Sequence, residues 1–132
     1  MNILHTMLRV KDIQKSLKFY CNFIGLEIQE IKELDDCKLY FLGNKESGHV
    51  QIELTDNFDI PENGYQNGNA FGHIAFGTES MEKTGIKLKE AGYDWLYEPF
   101  VLEQVNSKIA FVLDPDGNEI EIIQNRNTLF TN

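Results

Sequence analysis

The chain runs through one order of elements twice, and that repetition limits its fold more than any other feature. Residues 2–10 read as a strand with His5, Met7 and Arg9 on one face and Leu4, Thr6, Leu8 and Val10 on the other. Asp12 fits a helix N-cap, Ile13, Leu17, Tyr20 and Ile24 follow at helical spacing, and Gly25 suits the stop. Strands are expected over 26–33 and 37–43, on either side of a turn at Asp35 and Asp36, and over 49–55. In that last strand Val50, Ile52 and Leu54 share one face, and Gln51, Glu53 and Thr55 the other. A stretch rich in Asn, Gly and Asp, with Pro61, then reads as a linker. Beyond it the order returns. A strand over 71–78, carrying Phe71, Ile74, Ala75 and Phe76, is expected to be buried. A helix follows from Ser80 to Ala91 with Met81, Thr84, Leu88 and Ala91 inward, Gly92 as its stop and Gly85 as a weak point. Strands come next near 93–97, 107–113 and 118–124, the last two joined by "DPDG", where Pro115 sets a turn and Gly117 supplies positive φ.

Each half alone is too small to bury a stable core, so the two must pack together or exchange with a partner chain. The expectation is one α+β domain over 1–132, made of modules 1–56 and 70–125 joined by linker 57–69. The net charge of -9 argues against nucleic acid and anionic membranes as partners. A small anion needs a local positive group to bind such a chain. No apolar run is long enough to span a membrane and no secretory leader is recognised, and Cys21 and Cys37 do not make a disulfide framework. Reduced thiols in a cytoplasmic protein are the expectation.

Two histidines sit inside apolar strands at matching places, His5 and His73, 68 residues apart. Acids recur at that offset in Glu30/Glu98, Asp35/Glu103, Glu46/Asp114 and Glu53/Glu121. With 21 acids in 132 residues such coincidences come easily, so sequence context has to separate them. Glu98 precedes a proline, and the next two pairs fall in polar, turn-like stretches. Only Glu53 and Glu121 both lie between apolar neighbours, Ile52 and Leu54 in one case and Ile120 and Ile122 in the other. An ionised carboxylate there is costly, and metal coordination is one way to relieve it. Any one of these four residues alone is better read as an ordinary strand residue. All four at symmetry-related places favour a shared site, and two imidazoles with two carboxylates suit a divalent transition metal. Arg9 shares the His5 face and offers either a surface ion pair or a clamp for a ligand carboxylate. His49 has no such counterpart, Cys21 reads as packing, and Cys37 is expected to be partly exposed.

The blocks "LHTMLRVKDIQKSLKFYCNFIGLEI", "VQIELT", "GHIAF" and "IAFVLDPDGNEIEII" resemble, in order and over nearly the whole chain, those of glyoxalase I (lactoylglutathione lyase) of the vicinal oxygen chelate superfamily. The resemblance implies two βαβββ modules whose curved mixed sheets surround a metal. It places the metal ligands on His5, Glu53, His73 and Glu121, and substrate contacts on Arg9 and Asn57. It also implies nickel or cobalt ahead of zinc, a homodimer, and isomerisation of the hemithioacetal of methylglyoxal and a thiol, glutathione first among them, to a lactoyl thioester. Glu121 would be the base and Glu53 its opposed partner. Before the last hairpin, where family members often carry a basic, glycine-containing loop, "FVLEQVNSK" has Glu103, no glycine and only Lys108 as a base. Alternatives are another enzyme of the superfamily (thiol transferase, epimerase or dioxygenase) or a metal-free drug-binding module.

Overall fold

A computed structural model of the chain describes residues 1–125, apart from the side chain of Asn125; residues 126–132 of the expected domain lie outside the described residues. The chain divides into two compact units, Met1–Gln66 and Asn67–Asn132. In the first, β1 (His5–Arg9) leads to the helix α1 (Ile13–Leu17), then β2 (Glu27–Glu33), β3 (Cys37–Gly43) and β4 (Gln51–Asn57). In the second, β5 (His73–Gly77) leads to α2 (Met81–Glu90), then β6 (Trp95–Leu102), β7 (Ser107–Leu113) and β8 (Glu119–Asn125). Both are βαβββ units with one four-stranded mixed sheet, ordered β1-β4-β3-β2 and β5-β8-β7-β6. In each, the strand before the helix pairs in parallel with the last strand, and the other pairings are antiparallel. The expected α+β architecture of paired βαβββ modules is therefore observed.

The helices are set by their ends. The Asp12 side chain accepts from the Lys15 amide at 3.2 Å, the cap its sequence suggests, and Ser80, expected as the first helical residue, instead caps α2 by accepting from the Lys83 amide at 3.1 Å. Gly25 and Gly92 stop the two helical segments with φ of 99° and 86°. Gly85 faces the Trp95 indole, where a Cβ would stand 3.8 Å from the ring in ordinary contact.

The first helical segment departs from expectation. After Leu17 it widens into a π-helix over Lys18–Phe23, with the Ile24 amide donating to the Phe19 carbonyl. The buried stripe becomes Ser16, Phe19, Tyr20 and Phe23, while Ile13, Leu17 and Ile24 are only half-buried. The three aromatic rings outweigh the aliphatic residues in buried area, and the wider turn brings Phe19, Tyr20 and Phe23 to one side.

The strands differ in three respects. β4 starts at Gln51, because His49 and Val50 belong to the preceding turn. The strand expected to be buried, β5, is not: His73, Ala75 and Gly77 are exposed, Ile74 and Phe76 half-buried, and Phe71 lies before the strand and is exposed. An edge strand with one open face explains this pattern. β6 is longer than expected and keeps Pro99 inside it. It lies at the sheet edge, where a missing N–H is tolerated, and its register shifts on both sides of Tyr97.

The "DPDG" turn is pinned by a buried carboxylate. Asp114 Oδ1 accepts from the amides of Asp116 (2.9 Å) and Asn118 (2.8 Å), and Oδ2 accepts from Asn118 Nδ2 (3.0 Å). Gly117, at φ 82°, closes the turn. Asp114→Ala should lower unfolding free energy by about 2–3 kcal/mol, because it orphans donors beside a buried position. Urea denaturation checks this, and an unchanged midpoint would show that the carboxylate does not hold the turn.

Candidate metal centre

Parallel pairing puts matched residues on the same sheet face. In the first unit His5 is opposite Gln51, Met7 opposite Glu53 and Arg9 opposite Thr55. Across β3, Phe41 is opposite Glu53. His5 and Glu53 are thus diagonal neighbours on one face, and His5 Nε2 stands 3.3 Å from Glu53 Oε1. The second unit repeats this. His73 is opposite Glu119, Ala75 opposite Glu121, and Phe111 opposite Glu121. His73 Nε2 stands 3.2 Å from Glu121 Oε1.

An aromatic edge contact fixes each imidazole. His5 meets Phe41 with centroids 5.6 Å apart at 76°, and His73 meets Phe111 at 5.5 Å and 88°. Both pairs share one burial pattern. The carboxylate side chains are 11% and 13% exposed, and the imidazoles 38% and 43%. The acids are mostly withdrawn from water while the rings remain approachable.

These pairs suit a divalent ion. Metal–nitrogen and metal–oxygen bonds of about 2.1 Å, at angles from right to tetrahedral, separate the two donor atoms by about 3.0–3.4 Å. Both observed separations, 3.3 and 3.2 Å, fall in that interval. Each unit supplies one nitrogen and one oxygen. Among the described residues there is no group of three or more His, Cys, Asp or Glu able to hold a metal, so neither pair is a full ligand set.

The other candidates divide. Arg9 ends β1 on the His5 face, is exposed, and is in none of the ion pairs among the described residues. Asn57 ends β4, and its Nδ2 donates to the Tyr65 hydroxyl at 2.9 Å. The Thr55 hydroxyl donates to Glu53 Oε2 at 2.8 Å. The contacts of Tyr65 and Thr55 escaped sequence reasoning. Thr55 had a usable signal, since it stands two residues after Glu53 in a strand and so shares its face. Tyr65 had none, because its contact depends on the path of a loop. His49 lies exposed in a turn.

Cys37 is buried rather than partly exposed, because β3 lies inside its sheet between β2 and β4. Burial pushes its thiol up, helped by a hydrogen bond and the negative charge of Asp36 and by the charges of Glu53 and Asp56. Burial also raises the Cys21 thiol. Raised values keep both thiols protonated at neutral pH, the opposite of what a nucleophile needs. Iodoacetamide should therefore label the folded protein slowly at neutral pH, rapidly in concentrated urea, and faster as alkali ionises the thiols. By the same sign, stability falls as pH climbs through these raised values, because the fold holds protons that the open chain releases. Fast labelling of the native protein at neutral pH would contradict this.

The sequence model of the Glyoxalase/Bleomycin resistance protein/Dioxygenase superfamily matches residues 2–122. A protein of Haemophilus influenzae named lactoylglutathione lyase is 38% identical over 131 residues, covering 97% of this chain and 96% of that one. Among solved structures, the trypanothione-dependent glyoxalase I of Leishmania major is 31% identical with a TM-score of 0.80, over 99% of this chain and 91% of that one. A glyoxalase I mutant from Zea mays is 28% identical with a TM-score of 0.84 over 96% of this chain. This chain spans only 46% of that longer one.

Proposed function

The chain belongs to the Glyoxalase/Bleomycin resistance protein/Dioxygenase superfamily, and from that membership we propose that it is a glyoxalase I: it isomerises the hemithioacetal of methylglyoxal and a thiol, glutathione first, to a lactoyl thioester, and so detoxifies methylglyoxal. The observation that carries the reading is the repeated His–Glu pair, with the same donor atoms 3.3 and 3.2 Å apart in both units. His5, Glu53, His73 and Glu121 together hold one divalent metal, nickel or cobalt in preference to zinc. Because one unit offers only two donors, the full set joins both kinds of pair. The working protein is a cytoplasmic homodimer.

A divalent ion held by these residues would supply Lewis acidity, which would acidify the C–H between the sulfur and the carbonyl of the hemithioacetal. Glu121 takes that proton and returns it to the neighbouring carbon. One C–H bond breaks and another forms, the hydroxyl proton passes to the neighbouring oxygen, and so the carbonyl becomes an alcohol while the hydroxyl-bearing carbon becomes the thioester carbonyl. No outside oxidant is needed. Glu53 stands as the opposed carboxylate. Burial of the carboxylates on the sheet face suits a proton transfer kept away from bulk water. Arg9 and Asn57 bind the acidic end of the thiol. In a chain of net charge -9 the exposed Arg9 guanidinium, on the His5 face, provides the local positive charge that an anionic substrate requires.

Elemental analysis of the purified protein, followed by assay with methylglyoxal and a panel of thiols before and after chelation, tests the whole reading. The protein should contain one class of divalent ion and lose activity on chelation, and His73→Ala should lose metal and activity together. Full metal occupancy in His73→Ala would remove His73 from the ligand set, and an active chelated enzyme would end the metal mechanism. A metal-free protein that binds a drug and turns over no thiol adduct would favour the binding-module alternative.

The base assignment has its own test. Glutamine keeps one coordinating oxygen but cannot accept the proton. Glu121→Gln should retain metal while kcat falls by roughly two to four orders of magnitude. A metal-loaded Glu121→Gln enzyme with near-normal kcat refutes the assignment.

A further inference from the structure

The two His–Glu pairs match in distance, aromatic contact and burial, and they differ in what holds the second carboxylate oxygen. In the first unit, one carboxylate oxygen of Glu53 faces His5 Nε2 and the other accepts from the Thr55 hydroxyl at 2.8 Å. Glu53 and Thr55 are both buried, and both lie on the His5 face of β4. In the second unit the residue two positions after Glu121 is Ile123, which is half-buried and has no hydroxyl to donate. The register is otherwise equivalent. Thr55 is opposite Arg9 on the neighbouring parallel strand, and Ile123 opposite Gly77.

We propose that Thr55 is a positioning residue that ties down Glu53 as the fixed member of an unequal carboxylate pair, leaving Glu121 as the member free to turn between ligand and base. The inference rests on the metal-centre reading above and deepens it. A β-branched side chain in a strand has few χ1 choices, so the Thr55 hydroxyl is a stiff anchor. A hydrogen bond to a charged, buried carboxylate is stronger than one between neutral groups. It holds Oε1 towards His5 and occupies the oxygen that would otherwise have to rotate for proton transfer. A ligand gains from such a restraint, since less order has to be imposed when the ion binds. A base loses by it, because its carboxylate must reach carbon in the transition state. Among the described residues the tether is found in one unit, and this divides the two tasks between two glutamates at equivalent places in the fold. It also gives a structural reason, independent of chain order, for assigning proton transfer to Glu121.

The test uses the metal-stripped full chain and three variants, Thr55→Val, Thr55→Ser and Ile123→Thr, each titrated with cobalt(II) against a competing chelator and then assayed for turnover. Valine removes the hydroxyl and keeps the shape. Thr55→Val should bind cobalt about 10–100-fold more weakly, with the cobalt absorption bands altered, and Thr55→Ser should restore parental affinity and spectrum. Ile123→Thr supplies the missing tether to Glu121. It should bind cobalt at least as tightly as the parent while kcat drops about tenfold or more with KM unchanged. Parental affinity in Thr55→Val overturns the proposal. So does equal weakening by valine and serine, which would mark a packing effect. Unaltered kcat in Ile123→Thr overturns the division between fixed and free carboxylates. These failures differ from failure of the metal reading itself, in which the parent would bind no cobalt at all.

Discussion

Everything about the candidate site depends on a parallel strand pairing made twice. β1 beside β4, and β5 beside β8, set a histidine one register step away from a glutamate on the same face. That diagonal spacing fits the reach of the two side chains, so imidazole and carboxylate meet without distortion. A shift of one residue in either pairing would send His or Glu to the opposite face and dissolve the pair. The aromatic residue on the third strand, Phe41 or Phe111, then completes a wall that holds the ring and withdraws the acid from water. The chemistry follows from this arrangement. A desolvated carboxylate is expensive unless something positive meets it, and an approachable imidazole beside it invites a cation.

Much of this was legible in the chain itself. Alternation in "LHTMLRV" and "VQIEL" marked the two partner strands, the 68-residue offset tied His5 to His73 and Glu53 to Glu121, and the cap at Asp12 marked the start of the first helix. The constant offset had a limit. The turn before β4 spans 44–50 and the turn before β8 spans 114–118, so β3 and β7 are related by an offset of 70. Phe41 therefore corresponds to Phe111, and acid pairs drawn at a fixed offset through that region compare unrelated positions. Because the difference is two residues, an even number, every side chain keeps its face, and the His–Glu–Phe arrangement survives it.

What the sequence hid came from tertiary packing. Periodicity assigned Ile13, Leu17, Tyr20 and Ile24 to the inner stripe of the first helix, but of these only Tyr20 is buried, and Phe19 and Phe23 join it along a π-helix. Apolar content argued that β5 should be buried, yet burial depends on what covers a strand, and composition does not report that. His73, Ala75 and Gly77 share one face of β5, so the openness of the strand and that of the His73 imidazole are the same fact seen twice. The Tyr65 contact to Asn57 depends on a loop path that no local signal encodes.

Pro99 and the broken register of β6 have a consequence beyond this sheet. β6 is apolar and exposed at Leu96, Tyr97, Phe100 and Val101, which on an unprotected edge would recruit strands from other molecules. A proline removes one donor from that edge, and the two irregular steps twist it out of line with any straight incoming strand. Both features make this apolar margin a poor template for an incoming strand.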